Sequence, residues 1–248
     1  MLSVIIITKN EEDNIRRCLN SIRWVDEVII VDSGSTDRTL DIAKEYTNKV
    51  YSTDWQGYGI QKQRALDKAT GTWVLNLDAD ECVSEQLKQD ICTALKRNDV
   101  DAYRLPIHLR FYNKTLSHSW SPKNHIRLFK RKGARYTDKI VHEEILLPSH
   151  AKVGKLQNAI EHYCLKDISH ALYKMNLYSS HSAEINRKKN KSPRFLKTLL
   201  SSWWMFFRCY FIQGGVLEGR DGFLLAVLSA QGSFYRGVKT IYHDQHDD

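Results

Sequence analysis

The chain opens on an unbroken apolar, β-branched run from Leu2 to Thr8, the pattern of a strand buried on both faces. Asn10 stands where a helix cap is expected, with Asp13 three residues on as its reciprocal partner. Beyond it, Ile15, Cys18, Leu19 and Ile22 recur at i, i+3, i+4 and i+7, one apolar stripe of a helix. Glu27 to Val31 reads as a second buried strand ending at Asp32. The turn Ser33-Gly34-Ser35-Thr36-Asp37 then leads into a helix from about Asp37 to Tyr46. A short strand around Val50 and Tyr51, a helix from Gly59 to Ala69, and a strand from Trp73 into Asp78 complete a βαβαβαβ series. That order predicts an α/β fold, a parallel sheet with helices on both faces.

From Asp101 to Leu147 the pattern turns β-like and irregular, and Pro106 argues for an edge strand or a bulge. After Asp167 the chain reads as helical to its end, so an α/β domain is expected over residues 1–150 and a helical extension over 151–248. In the extension, Arg187, Lys188, Lys189, Lys191 and Arg194 form a basic run around Ser192-Pro193, a cap followed by proline at the first helical position. An aromatic helix from Phe195 to Ile212 follows, with Arg194, Lys197, Ser201 and Arg208 on one narrow face at ~100° per residue. It suits either packing on the α/β domain or the membrane interface. Arg208, the serines and the Gly214-Gly215 pair argue against a span of ~20 apolar residues.

In open parallel sheets, ligands sit beyond the carboxyl ends of the strands. Polar residues gather there: Thr8, Lys9, Asn10 and Glu11 after the first strand, Asp32 after the second, and Asp78, Asp80 and Glu81 after the fourth. Asp78 and Asp80 are two apart, so in an extended chain both point to one side, as a pair holding a divalent cation through oxygen would. A surface turn is the other reading of an Asp-x-Asp. The glycine-rich phosphate loops G-x-G-x-x-G and G-x-x-x-x-G-K-[ST] are absent, and a metal can take over their diphosphate-neutralising role.

The 248 residues carry a net charge of +8, which suits nucleic acid, an anionic membrane surface or an anionic small substrate. No zinc-finger, RNA-recognition or helix-turn-helix pattern is present, so nucleic acid is not expected as a partner. The odd, scattered set of five cysteines suggests reduced thiols in the cytosol, and the first residues lack the basic segment and cleavage site of a signal peptide. The remaining histidines show no metal-ligand spacing, and His162 and Cys164 read as core or surface residues.

Thr8-Lys9-Asn10-Glu11, Val31-Asp32-Ser33-Gly34-Ser35-Thr36-Asp37 and Leu77-Asp78-Ala79-Asp80-Glu81, in that order and spacing, resemble the inverting glycosyltransferases of family two. The resemblance implies the GT-A fold, a Rossmann-like nucleotide-sugar sheet, over roughly residues 1 to 150. Phe211-Ile212-Gln213-Gly214-Gly215 and Asp221-Gly222-Phe223 are similar to the branch that adds glucose to the first heptose of the lipopolysaccharide inner core.

By that resemblance, Asp32 accepts a hydrogen bond from uracil, while Thr8, Asn10 and Glu11 frame the nucleoside of a UDP-sugar donor. Removal of Asp32 is then expected to weaken UDP binding with little cost in stability. Arg64 lies near the diphosphate, or else on a solvated helix face. Asp80 is the main ligand of a divalent metal, magnesium or manganese, with Asp78 nearer the ribose or a water of the metal. The segment Lys139-Ile140-Val141-His142-Glu143-Glu144 resembles the family's His-Glu stretch, although many members carry Glu-Asp there. Glu143 is the expected base for inversion, Glu144 the alternative, and His142 a neighbour or an acceptor contact; a solvated pair of edge-strand glutamates is the plain reading. The implied acceptor is a lipid-linked anionic glycan, met from the cytoplasmic face of the inner membrane. Transfer of another UDP-sugar to another envelope glycan, or nucleotidyl transfer, are the competing activities.

Overall fold

The computed structural model describes residues 1–112, 114–116, 118, 124–139, 143–190 and 193–242. Its backbone divides into two compact units, Met1–His108 with Lys123–Cys164, and Leu109–Pro122 with Leu165–Asp248.

The first unit begins β1 (Leu2–Thr8), α1 (Ile15–Ser21), β2 (Glu27–Asp32), α2 (Thr39–Lys44), β3 (Val50–Ser52), α3 (Tyr58–Lys68) and β4 (Trp73–Asp78). β5 (Glu81–Val83), α4 (Glu85–Ala94) and β6 (Ala102–Leu105) follow. After Pro106 come β7 (Ile107–Phe111), whose last residues pair with β8 (Lys114–Leu116) in the second unit, and then β9 (His125–Lys130). β10 (Arg135–Tyr136), β11 (Ile145–Leu146), β12 (Val153–Lys155) and β13 (Ile160–Leu165) complete the strands.

The main sheet has the order β12-β6-β9-β4-β1-β2-β3. Strands β4, β1, β2 and β3 are parallel, as the alternating pattern predicts, and β9 runs antiparallel between β4 and β6. Successive side chains of β1 face opposite ways, and the core divides accordingly. Leu2, Val4 and Ile6 pack with Ile15, Leu19, Ile42 and Ile91 of α1, α2 and α4. Ile5 and Ile7 pack with Ala65 and Leu66 of α3.

Two local expectations change. The first helix starts at Ile15, and Asn10 does not cap it; Asn10 adopts a left-handed φ of +55°, which asparagine tolerates, and serves the loop after β2. The first unit also runs past residue 150, through β12 and most of β13 to Cys164, whereas residues 109–122 go with the helices.

The second unit holds α5 (Ile168–Lys188), α6 (Phe195–Phe207) and α7 (Gly219–Ile241). Asp167 caps α5, accepting from the His170 N–H at 2.7 Å. The α geometry of the aromatic helix stops at Phe207, and a π-type turn over Arg208–Ile212 continues it. Lys191 and the proposed cap Ser192 lie outside the described residues.

α7 joins its neighbours through small and polar residues. Lys239 Nζ donates to Asn176 Oδ1 of α5 at 2.6 Å and to the Ser179 and Ser180 hydroxyls at 2.9 and 2.8 Å. Ser202 of α6 donates to the Ala230 carbonyl at 2.8 Å, and the Ser201 and Ser233 hydroxyls lie 3.2 Å apart. A Cβ on Gly237 would stand 2.3 Å from Thr198, so glycine is what lets the two helices approach there. A Cβ on Gly222 would stand 2.0 Å from the Gly215 carbonyl oxygen, which gives the glycines of the two tail motifs a shared packing reason.

Candidate active site

The parallel registers make three strand ends flush. Thr8 lies opposite Asp32 and Ile7 opposite Asp78, so the residues that leave β1, β2 and β4 enter one cleft edge. The loops after β1 and β2 are laced together. Asn10 N–H donates to Ser35 Oγ and Thr36 N–H returns to Asn10 Oδ1, both at 2.8 Å. Glu11 N–H donates to Thr39 Oγ1 at 2.7 Å, and the Glu11 carboxylate accepts from Asn14 at 2.9 Å.

Asp32 is fully buried. One carboxylate oxygen accepts the Gly34 and Ser35 N–H groups at 2.9 Å, and the other accepts the Ser35 hydroxyl. Asp32 therefore builds the turn that presents the loop, a role the reading from sequence did not give it. The Thr8 hydroxyl is buried and has no hydrogen-bond partner among the described residues.

The end of β4 holds a buried charge network. Lys62, at the inner face of α3, places Nζ 3.2 Å from Asp78 Oδ1 and 2.6 Å from Glu143 Oε1. Arg127, on β9, donates to Asp78 Oδ2 at 3.0 Å and to Glu81 Oε1 at 2.7 Å, while Glu81 Oε2 accepts the Asp78 N–H at 2.9 Å. Both oxygens of Asp78 thus carry a cationic partner. Asp80 turns elsewhere, its Oδ2 lying 3.1 Å from His162 Nε2 on β13.

These contacts separate the carboxyl groups electrostatically. Burial pushes Asp78 up, but Arg127 and Lys62 outweigh it and hold this carboxyl well below the ordinary range. Burial raises Glu81, and the Asp78 charge adds to it against Arg127, so this carboxyl is pushed up to about 7. Burial lowers His162, and the Asp80 carboxylate raises it by more, to about 11.

The structure brings some of the residues singled out from sequence together and sets others apart. Asp78 and Glu143 meet on Lys62, and Thr8, Asn10, Glu11 and Asp32 share the adjoining loops. Arg64 is directed to Asp54, at 2.7 Å from its carbonyl and 3.0 Å from its carboxylate, and to Gln61 at 2.8 Å. Lys62, two residues earlier, is the cation of α3 that reaches Asp78. Glu144 is exposed and pairs with Lys139 at 3.2 Å, whereas Glu143 is mostly buried. His142 lies outside the described residues.

Sequence reasoning missed Lys62, Arg127 and the contact of His162 with Asp80. Lys62 left a signal, since Lys62, Ala65, Leu66 and Ala69 repeat at i, i+3, i+4 and i+7 and place a lysine on the apolar stripe of its helix. Arg127 reaches Asp78 only because β9 is antiparallel to β4, which no local pattern specifies.

Among the described residues no three His, Cys, Asp or Glu side chains converge into a metal cage. The donor set nevertheless fits magnesium or manganese bound chiefly by substrate phosphates and water, which takes only one or two protein carboxylates. Asp78 is paired on both oxygens with Lys62 and Arg127, while Asp80 has one oxygen against His162, which a cation at the other oxygen would meet as its neighbour.

The sequence pattern of Glycosyl transferase family 2 matches residues 3–146. An uncharacterized glycosyltransferase of Rickettsia bellii is 33% identical over 250 residues, covering 96% of this chain and 85% of the relative. The lipopolysaccharide core biosynthesis glycosyltransferase LpsC of Rhizobium meliloti is 30% identical over 251 residues, covering 96% and 91%. Among solved structures, S. aureus TarS 1–349 in complex with UDP-GlcNAc superposes with a TM-score of 0.50 at 17% identity, over 98% of this chain and 90% of that one, a likeness of fold.

Proposed function

The chain belongs to glycosyl transferase family 2, and from that premise we propose that it transfers glucose from UDP-glucose, with inversion, onto a heptose of the lipopolysaccharide inner core. The observation that carries the reading is the meeting of Asp78 and Glu143 on one buried ammonium, Lys62, at 3.2 and 2.6 Å. A strand-end carboxylate on the donor side and a second carboxylate from a distant loop are thereby held on one side chain, so that donor and acceptor groups share a single site. Relatedness to LpsC supports the acceptor class.

In this reading Thr8, Asn10, Glu11 and Asp32 frame the uridine. Glu143 takes the proton from the heptose hydroxyl as that oxygen attacks the anomeric carbon on the face opposite the diphosphate. The C1–O bond to the diphosphate breaks, UDP carries away the electron pair, and the anomeric configuration inverts. Lys62 fixes the position of Glu143 relative to Asp78. A divalent cation held by Asp80, with Asp78 nearer the ribose or a metal-bound water, would supply charge neutralisation at the departing diphosphate. The acceptor is lipid-linked and anionic, so the protein works peripherally on the cytoplasmic face of the inner membrane.

The test is transfer from a panel of UDP-sugars to a delipidated inner-core oligosaccharide ending in heptose, followed by UDP release and by the anomeric configuration of the product. UDP-glucose is expected to be preferred, the product to be inverted, and EDTA or Asp80→Ala to lower the rate by ~10²-fold or more. Preference for another UDP-sugar would overturn the glucose assignment, retention of configuration would overturn the role of Glu143, and full activity in EDTA would remove the metal.

A further inference from the structure

The sequence places Arg194, Lys197, Ser201 and Arg208 on one narrow face of α6, and in the structure Ser201, with Thr198 and Ser202, packs against a neighbour. Thr198, Ser201 and Ser202 pack against Gly237, Ser233 and Ala230 of α7. The opposite stripe, at i, i+4, i+7, i+8 and i+11 from Leu196, is Leu196, Leu200, Trp203, Trp204 and Phe207, and it faces solvent. Leu196 is 68% exposed, Leu200 63%, and Trp203 73%. Phe211, Ile212 and Leu217 extend the exposed apolar surface beyond the helix. A continuous apolar face of this kind on a folded unit marks an interaction site.

Charge identifies the occupant. Residues 165–248 hold twelve Lys and Arg against seven Asp and Glu, a net of +5, more than half of the chain's +8 on about a third of its length. At ~100° per residue Lys197 and Arg208 fall along one edge of the exposed stripe, and both are exposed. Two copies meeting through this face would bring these cations together, which like-charge repulsion opposes. An anionic surface with an apolar interior satisfies both features, and the two exposed tryptophans have the amphipathic ring favoured at such a boundary. Among the described residues no helix is long and apolar enough to cross a membrane.

We infer that the outward face of α6, from Leu196 to Phe207 and on through Leu217, docks the second unit onto an anionic phospholipid bilayer, with Lys197 and Arg208 at the level of the headgroups. This names the surface by which the enzyme proposed above meets its lipid-linked acceptor, and it rests on that reading only for its purpose.

Flotation of the full chain with phosphatidylcholine vesicles, with and without phosphatidylglycerol, tests it. Wild type is expected to float with the anionic vesicles at low salt and to be released by high salt. Leu200→Ser with Trp203→Ser should weaken binding by ~tenfold or more, and Lys197→Glu with Arg208→Glu should weaken the dependence on lipid charge. All four side chains are exposed, so UDP affinity by calorimetry and the melting temperature are expected to stay at wild-type values and report on folding. Equal flotation of wild type and both variants overturns the proposal. A dimer in sedimentation that Leu200→Ser with Trp203→Ser dissociates, without vesicle binding, also overturns it and assigns the face to a second copy. Flotation as expected, with no transfer from any UDP-sugar, would leave the docking surface standing and remove the transferase assignment.

Discussion

Lys62 Nζ lies 2.6 Å from Glu143 Oε1, although the two residues are 81 positions apart in sequence. The same ammonium stands 3.2 Å from Asp78 Oδ1. One buried cation of α3 therefore sets the spacing between the loop carboxylate and the end of β4. Removing one partner from a buried ion pair leaves the other charges uncompensated, which is costlier than never having had the pair.

Lys62→Met is expected to lower stability by about 3 kcal/mol, with Arg127 still compensating Asp78. Its kcat should fall by roughly 10- to 100-fold, because the base is no longer held at the distance the reaction needs. Lys62→Arg keeps the charge and should recover part of the loss. A positioning role predicts that KM for the UDP-sugar moves by less than about threefold while kcat falls. Equal losses in UDP affinity and kcat would show that Lys62 acts through folding alone.

Glu143→Gln should retain UDP-sugar binding, because the residue belongs to the acceptor side, yet lower transfer by ~10²–10⁴-fold. Glu144→Gln should stay near wild type, since among the described residues its exposed carboxylate pairs with the exposed Lys139 alone. Single-turnover rates and calorimetry on both variants make the comparison. The reverse order of effects would give the base role to Glu144.

For Asp32→Ala the structure adds a stability term to the expected loss of UDP affinity. The carboxylate accepts two backbone N–H groups and a hydroxyl inside the turn, and its truncation leaves those part-buried donors without their acceptor. Both the folding free energy and the UDP binding free energy should drop, each by roughly 1–3 kcal/mol. An unchanged melting temperature would contradict the role in the turn, and unchanged UDP affinity would contradict the role at the uracil.

What was legible in sequence follows from which interactions are local. β-Branched runs and i, i+3, i+4, i+7 stripes report burial along a single element, so β1 to β4 and α1 to α3 could be read directly, and with them the strand ends carrying Asp32, Asp78 and Asp80. The partners of those residues come from elsewhere in the chain. Arg127 arrives on an antiparallel strand and His162 on β13, at separations no pattern reports. Asn10 satisfied the local rule for a helix cap, but the loop after β2 offered its side chain a better partner in Thr36. The polar side of α6 was visible, but not that its serines and Thr198 face a neighbouring helix, because that depends on Gly237, about forty residues away, making room for them.

The last prediction concerns acid stability, and it rests on Glu27 at the start of β2. This buried carboxylate accepts from Ser3 of β1, from Lys49 before β3, and from the N–H and hydroxyl of Thr70, both at 2.9 Å, before β4. It ties together the amino ends of four strands, opposite the candidate active site. Burial alone raises its pKa, but the hydrogen bonds from Lys49, Ser3 and Thr70 outweigh it, and the group falls from 4.5 to about 2. Because folding depresses this pKa, the stabilisation is present in full above about 4.5 and is lost as the pH falls toward about 2. A shift of this size corresponds to about 2–3 kcal/mol once the solvent exposure of Lys49 is allowed for. Glu27→Gln should therefore lower the folding free energy by about that amount at pH 7, and the gap from wild type should close between pH 4.5 and 2. Urea titrations of both proteins across that range measure the gap directly. A difference that stays constant down to pH 2 would mean that the carboxylate contributes through shape rather than charge, and the ionised network around Glu27 would lose its role in holding the sheet.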